Sequence, residues 1–157
     1  MRSILLVLAA STAALGLVSA RTAVADNTTL LKYADPQIIV EIARGFGSAE
    51  LGKDDGGDPM VTGRLQGVKY AIYFYDCTNA KDCNSIQFSL GYTDAFTPDQ
   101  ANDWNSKYRW IKAYSDNGSN FKMDVDFSTG ITRDYLEEQF STWDSLAPEI
   151  RDFVNGK

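Results

Sequence analysis

Residues 68–92 read VKYAIYFYDCTNAKDCNSIQFSLGY, two strand-like runs joined by a short loop that carries both cysteines of the chain. In the second run Ile86, Phe88, Leu90 and Tyr92 alternate with Ser85, Gln87 and Ser89. That is the period of a strand with one buried and one wet face. The first run, Tyr70 to Asp76, crowds large residues onto both faces, as a strand near the middle of a sheet does. Alternation sends Tyr73 and Tyr75 away from Ile72 and Phe74. The pair predicts a hairpin on which the remaining elements pack or which they extend.

Working outward toward the N-terminus, Met60 to Leu65 and Ala49 to Lys53 read as further strands, separated by the acidic turn Asp54 to Asp58. Gly67 marks the reversal into the hairpin. Asp35 and Pro36 open a helix as N-cap and first helical residue. Its apolar face is Ile38, Ile39, Ile42, Ala43 and Phe46, and Gly45 and Gly47 end it. Toward the C-terminus, Thr97 and Gln100 form a capping-box pattern ahead of Ala101, Trp104 and Tyr108. Trp110 to Tyr114 reads as a strand, Ser115 to Gly118 as an Asn-Gly turn, and Phe121 to Phe127 as a cleanly alternating strand. Thr132 caps a last helix whose stripe is Leu136, Phe140, Trp143, Ala147, Ile150 and Val154. Pro148 is expected to kink or split that helix near residues 144–147. The expected fold is therefore α+β: an antiparallel sheet of about six strands covered by three helices, in the order α-β-β-β-β-α-β-β-α.

The address is written at the start of the chain. Arg2 precedes an apolar, Ala- and Leu-rich run from Ile4 to Val18, and Ala23-Val24-Ala25 offers a small-x-small cleavage pattern. Residues 1–25 are expected to be a signal peptide, residues 26–34 a flexible lead, and residues 35–155 a single domain. The run is short for a membrane span, and no stop-transfer segment follows. The product is expected to be periplasmic or secreted, with a mature N-terminus at Asp26 and no stable membrane anchor. Loss of Arg2 and Arg21 takes 15 basic residues to 13 against 21 acids, a net charge of −8. That excludes the basic footprint of a nucleic-acid binder. In an exported chain the simplest state of Cys77 and Cys83 is a disulfide closing the hairpin. Cys83→Ser is expected to lower stability by about 2 kcal/mol without unfolding the domain. The spacing C-x5-C is not that of a redox C-x-x-C motif.

The chain contains no histidine, which removes Ser-His and Cys-His nucleophile pairs and histidine metal sites. No Gly-rich loop has phosphate-binding spacing. No cofactor and no metal site is expected. Carboxylates remain. Asp124 and Asp126 share one strand face roughly 7 Å apart, a distance at which two acids can work on a glycosidic bond. A solvated face beside Lys122 is the reading favoured here. Asp124-x-Asp126-x-Ser128 departs from a calcium loop, with Gly130 one place late and Tyr135 where a bidentate Glu belongs. Trp104 and Trp143 read as core anchors. Tyr73, Tyr75 and Trp110 are the candidate binding aromatics. Asn27-Thr28-Thr29 and Asn117-Gly118-Ser119 are formal glycosylation sequons.

A family resemblance rests on Gly67 to Tyr70 leading into Tyr75-Asp76-Cys77, on Cys83 to Phe88, on Asn102 to Asn105 with Tyr108-Arg109-Trp110, and on Ala113-Tyr114 to Gly118. It continues through Met123 to Asp126 and Gly130-Ile131-Thr132 with Tyr135-Leu136 and Trp143. Trp104-Asn105 and Met123 to Gly130 are its most specific pieces. Over about residues 35–153 the chain resembles the YbjN family, labelled bacterial sensory transduction regulators, and looks like an exported member of it. The resemblance implies a fold like that of type III secretion chaperones and supplies no catalytic residues. The expected function is a non-enzymatic binding, chaperone-like or regulatory module that holds a protein or peptide partner, with homodimerisation open. An acidic inhibitor of a cell-wall enzyme and a carboxylate hydrolase are the alternatives.

Overall fold

The computed structural model describes residues 29–94, 96–115 and 118–156. The expected leader, both sequon asparagines and the Asp116-Asn117 pair of the last hairpin turn lie outside them. The elements run β1 (Leu30–Leu31), α1 (Pro36–Phe46), β2 (Ser48–Lys53), β3 (Pro59–Leu65), β4 (Val68–Tyr75), β5 (Ser85–Tyr92), α2 (Pro98–Lys107), β6 (Lys112–Ser115), β7 (Ser119–Asp126), β8 (Ile131–Thr132) and α3 (Arg133–Val154). Apart from the short β1 and β8, this is the expected order, in an α+β fold with a six-stranded antiparallel sheet.

Local chemistry explains the ends of the elements. The Asp35 carboxylate accepts from the Gln37 N–H at 2.8 Å, with Pro36 at the first helical turn. Thr97 Oγ1 accepts from the Gln100 N–H at 3.2 Å, and Gln100 Oε1 accepts from the Thr97 N–H at 2.9 Å. Thr132 Oγ1 accepts from the Tyr135 N–H at 3.1 Å. Gln66 and Gly67 join β3 to β4 with φ of 45° and 79°, the sense that suits a tight hairpin.

The sheet order is β2-β3-β4-β5-β7-β6, every pairing antiparallel. Val61, Ile72, Phe88 and Met123 stand in register across it, all buried. The helices pack on that face. Phe88 meets Phe140 of α3 at 4.8 Å and Phe121 meets Trp104 of α2 at 4.9 Å, while Phe46 of α1 stacks on Phe140 at 5.7 Å. Each such ring contributes roughly 1.5–3 kcal/mol by leaving water. Tyr70 shares the face and lies over Gly63, where a Cβ would collide with its ring.

Three details depart from the sequence reading. Pro148 does not split the last helix, which continues from Arg133 to Val154. Proline removes one hydrogen bond there, but Leu136, Phe140, Trp143, Ala147 and Ile150 are fully buried and hold both halves of the helix to the sheet. The fifth long strand is Lys112–Ser115, and Trp110 lies in the bend before it. Register with β7 begins at Lys112 opposite Lys122, and on the outer side the carbonyl of Ile111 is taken by the Trp104 indole. Leu30–Leu31 pair with Ile131–Thr132, a contact that no sequence signal announced.

Candidate functional site: an open sheet face, a free edge and a groove

The second face of the sheet carries the other half of each strand alternation. Tyr73, Gln87 and Asp124 stand in register on neighbouring strands. Gln87 Nε2 donates to Asp124 Oδ1 at 2.7 Å, and the Tyr75 hydroxyl donates to Gln87 Oε1 at 3.4 Å. Tyr75 is 43% exposed and Tyr73 half-buried. Burial, then the charge of Asp124, pushes the Tyr75 phenol above its usual range. Lys122 sits 5.9 Å from the centre of the exposed Tyr114 ring. The structure thus brings Tyr73 and Tyr75 together on this face. Trp110, 64% exposed, is held apart from both, with no ring contact to either among the described residues.

Asp124 and Asp126 are both exposed on the same face. The N–H of Ser128, and then its hydroxyl, hydrogen-bond Asp126 and hold its carboxyl below the ordinary carboxylate range. That favours the anion and opposes service as a general acid. Among the described residues no group of three or more acids, cysteines or histidines stands where it could hold a metal ion.

The two sheet edges differ. β6 is covered by α2: Trp104 Nε1 donates to the Ile111 carbonyl at 2.8 Å. The Asn105 amide donates to the Ala113 carbonyl at 3.1 Å and accepts from the Ala113 N–H at 2.8 Å. Among the described residues no strand pairs with the outer side of β2.

Beside β2 lies a groove of about 610 Å³ whose walls include Pro36, Leu51, Lys53, Pro59 and Lys81. One wall is the loop between β4 and β5, in which Cys77 and Cys83 are joined. Cys83 is fully buried and its carbonyl accepts from the Ala34 N–H at 2.8 Å, so the loop folds back onto the body. Asp76, Asn79, Ala80 and Asp82 are all left-handed, with φ of 45–55°. Each such residue costs on the order of 1 kcal/mol or more unless its surroundings impose it. The disulfide and the paired bonds between Thr78 and Lys81 do so. Sequence reasoning missed this groove, since Pro36, Leu51 and Lys81 lie on separate elements.

The YbjN family model, described as "Putative bacterial sensory transduction regulator", matches residues 35–155. No curated protein matches the chain. No helix of the described residues is long and apolar enough to cross a membrane.

Proposed function

The chain belongs to the YbjN family, and from that premise we propose that it is a non-enzymatic regulatory or chaperone-like module that holds a protein or peptide partner. The observation that carries this is the sheet face left without helices, with Tyr75 exposed and Tyr73 half-buried upon it. Such a face can receive another chain with little loss of side-chain freedom. Trp110 is a third contact on the strength of its exposure. The site of action is the periplasm or the exterior, an assignment supported by the leader-like residues 1–25 and by the joined cysteines. The loop closed by Cys77 and Cys83 packs back on Ala34 rather than standing out as a tip, which weighs against the inhibitor reading.

The test is crosslinked recovery of partners from cell envelopes. A Tyr73→Glu, Tyr75→Glu double variant should lose the partner, and an Asp124→Asn, Asp126→Asn double variant should keep it. Essential carboxylates with silent tyrosines would mean catalysis or metal binding and would overturn the reading.

A further inference from the structure

We propose that the free edge of β2, with the groove beside it, takes an extended partner segment in which apolar and basic residues alternate, added to the sheet as a further strand. This rests on the reading of the chain as a peptide-holding module and names the site and the partner's chemistry.

The backbone supplies the first half of the argument. Arg44 Nε donates to the carbonyl of Ala49 at 3.2 Å, so that carbonyl points away from β3. In an antiparallel ladder the outward groups recur at every second residue. The N–H and C=O of Leu51 and Lys53 therefore face the same free side, and both residues line the groove. Main-chain pairing there supplies affinity, and the alternation of the added strand supplies specificity.

The side chains decide what the strand must look like. One set of its side chains drops toward Leu51, Pro36 and Pro59, in a volume of about 610 Å³ that falls in the range of ligand pockets. That set is apolar. The other set emerges on the open face beside Glu50, which faces opposite to the partly buried Leu51. Beyond the end of β2 the strand meets the turn that carries Asp54, Asp55 and Asp58, with Asp82 next to Lys81 in the facing wall. With Asp35 and Glu50 these acids number six against Arg44, Lys53, Arg64, Lys69 and Lys81, and four of the six gather where the strand leaves β2, so the second set is basic. A second copy of this chain, with a net charge of −6, would bring the same acids to the same rim and is the poorer occupant.

The full-length protein is titrated with an acetylated, amidated peptide of alternating valine and lysine, matched in length to β2. The controls are the same residues in two blocks and two N-methylated forms, one blocked at every valine and one at every lysine. The alternating peptide should bind at least about tenfold more tightly than the block peptide. One N-methylated form should lose binding and the other keep it. Amide exchange should slow at Leu51 and Lys53. The inference is overturned by equal binding of the alternating and block peptides, by equal effects of the two methylations, or by protection at Tyr75 and Gln87 instead. Protection of β2 that grows with protein concentration, without peptide, would assign the edge to a second copy and overturn it as well. If the envelope partner is still recovered through Tyr73 and Tyr75 while the peptide fails, only the assignment to the β2 edge falls.

Discussion

At the β6 edge, Trp104 and Asn105 of α2 occupy the outward carbonyls of Ile111 and Ala113 and the outward N–H of Ala113. At the β2 edge, the Arg44 guanidinium takes the Ala49 carbonyl and leaves the strand unpaired beyond it among the described residues. The Asn105 amide donates and accepts as a peptide group would, so one side chain stands in for a neighbouring strand. An unpaired edge invites other chains. A fold that closes one edge with two helix residues and leaves the other beside a groove separates the side that must stay solitary from the side that can accept company. The contrast also gives physical content to Trp104-Asn105, where the family resemblance is sharpest.

Breaking the closed edge at its root should have the largest effect. Trp104 is fully buried against Tyr108, Phe121 and Phe153. Trp104→Ala should lower the unfolding free energy by about 4 kcal/mol, read by urea denaturation. A loss below about 1 kcal/mol would mean that α2 does not hold β6. Asn105→Ala is milder. It strips both partners from Ala113 and should cost about 2 kcal/mol, with faster amide exchange at Ala113. The alternating peptide should then gain a second site, at β6, which makes the two edges alike.

Tyr70 tests the side of the sheet toward β2. Its hydroxyl is buried without a hydrogen-bond partner, and burial pushes its pKa up to about 12. The unfolded phenol ionises near 10. Stability from this group is therefore intact below pH 10 and is lost as the pH climbs from 10 to about 12, on the order of 1–2 kcal/mol. Tyr70→Phe should flatten that part of the denaturation profile and cost nothing at pH 7. An unchanged slope would show that the hydroxyl reaches solvent or a partner. The smallest effect belongs to Arg44→Ala. It frees the Ala49 carbonyl, should change stability by less than about 1 kcal/mol, and should leave peptide binding at β2 no weaker. Loss of binding would place Arg44 in contact with the peptide.

The long elements were legible because their signals are local. Ser85 to Tyr92 alternates, Thr97 and Gln100 form their capping box, and the stripe of α3 recurs at helical spacing. Pro148 does not split α3 because its local cost is outweighed by burial on both sides of it. The start of β6 differs from the expected one because Trp110 and Ile111 are as strand-like as their neighbours, while pairing with β7 starts only at Lys112. Tyr73 and Tyr75 reached the open face by simple alternation. The free edge and the groove were not legible at all. Which strand lies outermost depends on the whole strand order, and an amide that imitates a strand has no period to detect.

Strands β2 to β5 lie side by side in the order in which they are synthesised, each reached across a single connection from the last. β7 enters between β5 and β6 only after α2 and β6 exist, and α3 arrives last of all. As the chain emerges N-terminus first, the four-stranded meander is therefore complete while the β5 edge is still bare and Ile72 and Phe88 still lack their cover from α3. For that interval the nascent chain displays an open edge and an apolar sheet face together, the combination most prone to pairing with the wrong chain. The time between the emergence of Tyr92 and that of Ile150 is the period in which this fold depends on its surroundings.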